Sequence, residues 1–168
     1  VHTYPDGFHY STSTDYICQE KDRTLHVINL ITNREVLTYH HADVDAVGQG
    51  FSGDASSLAT IDSSGTVILW NLNTGKQVRS FYGLRSSKPE STELYWSGDG
   101  HHLAVSNFDD ANHVHLFDTA TGRAVFITSV GPAGIGGQIE WSASGKRFYI
   151  STNLTPDNEY PLPKNRVI

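Results

Sequence analysis

Nine histidines in 168 residues are the first place to look for chemistry. His113 and His115 stand two apart, which on a strand puts both rings on one face beside Phe117. His40-His41 and His101-His102 are adjacent pairs, and neighbours on a strand point to opposite faces, so neither pair offers two ligands to one ion. A zinc centre would need further thiols or a carboxylate shell, and Cys18 is the single cysteine. Asp109-Asp110 and Asp157-Asn158-Glu159 could give oxygens to calcium, but neither follows a spaced calcium-loop pattern, so turn and capping roles are expected. Gly131-Pro132-Ala133-Gly134-Ile135-Gly136-Gly137 lacks the Gly-Lys-Ser/Thr ending of a phosphate loop and reads as a flexible connection. No Gly-x-Ser-x-Gly elbow occurs, and no Cys-His arrangement with a third orienting group is evident. The expectation is no metal, no cofactor and no catalysis.

The bulk properties narrow the class further. A net charge of −6 argues against a general affinity for nucleic acid, whose binders carry a basic footprint. No run of about 18 apolar residues exists to span a membrane. The lone cysteine forbids an intrachain disulfide and favours a reducing, cytoplasmic compartment. The start lacks the basic and apolar stretches of a signal peptide. There is no methionine, and both ends read as cut from something longer.

The elements that must position any site are repeated. Gly50-Phe51-Ser52-Gly53-Asp54, Tyr95-Trp96-Ser97-Gly98-Asp99 and Glu140-Trp141-Ser142-Ala143-Ser144 superpose without gaps, and Phe51, Trp96 and Trp141 recur every 45 residues (96 − 51 and 141 − 96). A second set runs beside it: Leu25 to Arg34 matches Val67 to Lys76 and Val114 to Arg123. Each unit reads as four short strands. An aromatic ends the first, Ser-Gly-Asp supplies the turn, a short apolar strand follows, and runs such as Val67-Ile68-Leu69-Trp70 form the third. Asn73-Thr74-Gly75 then turns the chain into a fourth strand. Third strands apolar at nearly every position are expected to be buried on both faces, which stacked blades provide. His26 and His115 share one repeat position, held by Ile68 in between, so they are expected to pack between blades.

These marks, from Phe51-Ser52-x-Asp54 to Trp70-Asn71 and Thr74-Gly75, resemble a WD40 repeat, with Trp70-Asn71 in place of the family's Trp-Asp pair. The resemblance covers essentially the whole chain and extends to the related YVTN-type and TolB-type propellers. It implies an all-β β-propeller fragment of about three complete blades plus part of a fourth, at approximately 1–41, 42–86, 87–131 and 132–168. The family often pairs an Asp before the third strand with a preceding His. Only Asp22 stands there, Ser64, Ala111 and Lys164 replace it elsewhere, and His41 has no such partner.

In a four-stranded meander the first and third turns share one end, and here they are short. The other end carries every long connection: Tyr82 to Ser91, Phe108 to Asn112, Val130 to Gly137 and Leu154 to Asn165. Long loops on a rigid scaffold are where binding usually resides. Arg85, Lys88, Asp109, Asp110, Asp157 and Tyr160 are therefore the candidate partner-binding residues. The resemblance implies a non-catalytic scaffold that recognises a protein or peptide. The alternative is an accessory or sensor propeller of a larger enzyme or signalling protein, such as a prolyl-oligopeptidase-like hydrolase or a kinase or NTPase. So few blades cannot close a ring, so further blades from a parent chain or a second copy are expected, and two exposed apolar blade faces with them.

Overall fold

The structure, a computed structural model, describes residues 2–3, 8–10, 15–21, 23–40, 46–81, 92–107, 113–129, 139–142, 144–152 and 155–161. Every regular element among them is a strand, in four antiparallel sheets. The first sheet orders β1 (His2–Thr3), β2 (Phe8–Tyr10), β3 (Tyr16–Lys21), β4 (Thr24–Asn29) and β5 (Arg34–His40) side by side. The second contains β6 (Ala46–Phe51), β7 (Ser57–Asp62), β8 (Val67–Asn71) and β9 (Lys76–Phe81). The third contains β10 (Thr92–Trp96), β11 (His102–Asn107), β12 (His113–Asp118) and β13 (Ala124–Ser129). The fourth has three strands, β14 (Ile139–Trp141), β15 (Arg147–Thr152) and β16 (Thr155–Pro161). These are the meanders of an all-β propeller.

The turns explain why the strands begin and end where they do. After β6, the Ser52 hydroxyl donates to Asp54 Oδ1 at 2.7 Å and accepts the Ser57 N–H at 3.0 Å. Ser97, Asp99 and His102 repeat the arrangement at 2.6 and 2.9 Å, and Ser142 accepts the Arg147 N–H at 3.1 Å. After the third strands, the side-chain oxygens of Asn29, Asn71 and Asp118 accept the N–H of Thr32, Thr74 and Thr121 at 2.8, 2.9 and 2.7 Å. Asn71, in the place of the family's Asp, therefore caps its own turn.

A β-bulge recurs at one point of each complete sheet, between Val27 and Ile28, Leu69 and Trp70, and Leu116 and Phe117. It adds a residue to the fourth strand and steepens the local twist, which helps each sheet to fan away from its neighbour.

The core lies between sheets. Cys18, Leu25, Val27 and Leu37 of the first pack on Leu58, Ile68, Trp70 and Leu72 of the second. Ala59, Ile61, Leu69 and Phe81 meet Leu103, Val105 and Phe117, while Ala104, Val114 and Leu116 meet Ile139, Phe148 and Ile150. One ring contact is repeated: Tyr39 lies 4.6 Å from Trp70 and Phe81 lies 4.7 Å from Phe117, each fourth-strand aromatic meeting the next sheet's third strand.

Two expectations change. Only β8 is buried along Val67 to Trp70; β4 and β12 interleave buried apolar residues with half-buried ones that include His26, His113 and His115. The stretch around Asp157 and Tyr160, expected as a loop, is strand β16, paired through Tyr160↔Phe148 and Asn158↔Ile150. Pro156 and Pro161 suit β16 because, among the described residues, it is the edge strand of its sheet, where proline is tolerated.

Candidate functional site

Four residues hold one register position, at the ends of β2, β6, β10 and β14. Tyr10 pairs with Ile17, Phe51 with Leu58, Trp96 with Leu103 and Trp141 with Phe148. Tyr10-Ser11 is thus the fourth member of the aromatic-serine series. The sequence comparison missed it because it lies 41 residues before Phe51 (51 − 10), whereas the other members are 45 apart.

First strands of adjacent sheets approach one another, and the tryptophans tie them together. Trp96 Nε1 donates to the Gly50 carbonyl at 2.8 Å, and Trp141 Nε1 donates to the Tyr95 carbonyl at 3.3 Å. A Cβ at Gly50 would meet the Leu94 carbonyl at 3.4 Å, an ordinary van der Waals contact. Tyr95 holds Gly50's register position in the third sheet and brings a full side chain. Its hydroxyl donates to Glu93, and burial, followed by that carboxylate, pushes its pKa upward.

Above these strands, at the short-turn end, lies an open groove of about 430 Å³. Phe51, Trp96 and Trp141 form its aromatic wall and Leu94 and Ile139 its apolar base. Ser97, Gly98 and Ser142 stand on its rim. The three aromatics are half-buried, so part of each ring faces solvent. Because both indole N–H groups are committed to the backbone, the groove offers ring surface rather than donors. His102 backs it, stacked on Trp141 with centroids 6.0 Å apart, and burial holds its pKa below the usual histidine range. The turn carboxylates beside it stay ionised. Asp54 is lowered first by the Ser52 hydroxyl, and at Asp99 the Ser97 hydroxyl and the His101 N–H outweigh a partial burial that works the other way.

The sequence candidates fall elsewhere. Arg85, Lys88, Asp109 and Asp110 lie outside the described residues, as do Asp22 and His41. Asp157 and Tyr160 are placed on β16. His115 is half-buried and stacks on Phe117 at 6.2 Å, as a packing residue should. His26 differs: it sits on the uncovered side of the first sheet and bonds Glu35 Oε1 at 2.5 Å.

No known family profile matches the chain. A crystal structure described as the C-terminal WD40 domain of Sif2 does, with a TM-score of 0.68 and 17% identity over 91% of this chain. The match covers 44% of that chain, so the present chain spans less than half of the solved structure's length. At this identity the likeness shows the fold, a WD40-like β-propeller arc.

Proposed function

We propose that this propeller arc is a non-catalytic recognition scaffold whose groove over Trp96 and Trp141 receives an apolar segment of a protein partner or a peptide. The observation that carries the reading is the aromatic wall itself. Three partly exposed rings stand side by side on rigid strands, with both indole N–H groups already bonded. Rigid aromatic surface gives contact area at little cost in conformational entropy, which is why Trp and Tyr dominate the energetics of many interfaces. The WD40-like fold supports a recognition role by analogy. Arg85, Lys88, Asp109 and Asp110 of the longer connections, with Asp157 and Tyr160 of β16, enter as a second contact area.

The test is a titration of extended peptides with apolar side chains, read by indole fluorescence. The reading expects a saturable change that is abolished by Gly98→Arg, a substitution at an exposed rim residue that leaves the core untouched. Binding that survives Gly98→Arg, or no response from any peptide, would sink it.

A further inference from the structure

The two tryptophans of the groove are not held alike. Ser57, His102 and Arg147 share one position, each donating its backbone N–H to the turn serine, at 3.0, 2.9 and 3.1 Å. Of the three, His102 alone brings an aromatic ring, and that ring lies behind Trp141 with centroids 6.0 Å apart and planes at 24°. Ser57 has no ring to place behind Trp96. Trp96 is instead tied by the shorter indole bond, 2.8 Å against 3.3 Å at Trp141. Trp141 therefore depends more on its ring neighbours, His102 and Phe148, the latter with its centroid 5.6 Å away.

His102 Nδ1 is buried and has no hydrogen-bond partner. A neutral imidazole tolerates this with its proton on Nε2, whereas an imidazolium carries a donor on both nitrogens. From the third sheet, Asp99 and Asp118 favour that proton and His101 opposes it. Both carboxylates are already engaged in their turns, Asp99 by Ser97 and His101, Asp118 by Thr121. From the fourth sheet the ring meets the uncharged Trp141, while Glu140, Lys146 and Arg147 are exposed. A cation over an indole face is attracted to it, but a buried charge with an unpaired donor loses more. Burial accordingly holds the ring's pKa below the usual histidine range despite both carboxylates.

We infer that a proton on His102 drives its ring out from behind Trp141 and loosens the aromatic wall, so that the groove holds an apolar partner at neutral pH and releases it on mild acidification. The release rests on the recognition reading above; the coupling of the two rings does not. By reciprocity, a bound partner lowers the affinity of His102 for its proton.

The test follows the His102 ring and Trp141 indole N–H resonances of the 168-residue chain by NMR as pH falls from about 7.5 to about 5, with circular dichroism reporting the fold. A capped apolar peptide without ionisable groups is titrated at both ends of that range. The indole resonance is expected to shift with the His102 midpoint, and peptide affinity to fall several-fold. His102→Phe keeps a ring behind Trp141 but takes no proton, so its affinity, whatever its value at neutral pH, should not vary with pH. An indole resonance that ignores the His102 midpoint overturns the inference. So does a peptide affinity that is flat with pH in the unaltered chain, or that still falls in His102→Phe. If no peptide binds at neutral pH, the recognition reading fails, and the indole resonance alone upholds or overturns the coupling of the rings.

Discussion

The covered interface between the first and second sheets and the open face of the first sheet are built from the same repeat positions. On the covered side, Leu58, Ile68, Trp70 and Leu72 are all buried, and Trp70 both meets Tyr39 and donates to Thr60 Oγ1 at 3.1 Å. On the open side the same four positions hold Ile17, His26, Ile28 and Leu30, with polar Gln19 and Thr24 between them and a His26–Glu35 pair. The expected apolar face is thus a mixed one. Burial and not the repeat signature decides what each position contributes: a marker residue under a neighbour is structural, and the same position without one is a surface.

The largest effect should separate the two sides by truncation. Trp70→Ala removes a buried ring together with its hydrogen bond and should cost about 3–5 kcal/mol of unfolding free energy. Ile28→Ala, at the open equivalent, should cost only about 1 kcal/mol, since a half-buried side chain forfeits less contact. Denaturant midpoints of the two variants check this. Equal losses would break the comparison.

A smaller effect appears in pH. His102 lies against Trp141 between the third and fourth sheets, where burial favours the neutral ring. A depressed folded-state pKa means that its contribution is complete above the unfolded value of about 6.5 and is lost as pH falls through that value towards the folded one. On the open face Glu35 is lowered, chiefly by its bond from His26 and next by Thr38. Its contribution is present above about 4.3 and is lost only as pH falls through its lowered pKa. Melting temperatures should therefore decline first as pH falls below about 6.5, and His102→Gln should remove that step while leaving the acid one. A His102→Gln variant with an unchanged profile would place the first step elsewhere.

Much of this was legible in sequence, for identifiable reasons. The 45-residue spacing of Phe51, Trp96 and Trp141, with the third-strand match, gave the sheets, because turn chemistry and interleaved cores constrain the same residues in each unit. Tyr10 escaped because the connection from the first unit to the second is shorter. The groove escaped for another reason. Loop length drew attention to the opposite end, whereas the groove depends on how closely first strands approach, with Gly50 on one side and Tyr95 on the other. Those are relations between sheets, invisible to any one repeat. The open face was equally hidden, since Leu30 and Leu72 are the same residue type and differ only in what lies above them.

The most direct test of this account compares one substitution at two equivalent turns. Gly75 and Asn33 both hold positive φ, where alanine costs Gly75 about 1 kcal/mol from backbone conformation alone and costs Asn33, which already carries a Cβ, less. Only Gly75 also lies against a neighbouring carbonyl, where a Cβ forces a further displacement worth about 1–3 kcal/mol. Urea unfolding of Gly75→Ala and Asn33→Ala should therefore show a loss at Gly75 that clearly exceeds the loss at Asn33. Equal losses would mean that the turn conformation, and not the neighbouring sheet, governs these positions, and would contradict the account.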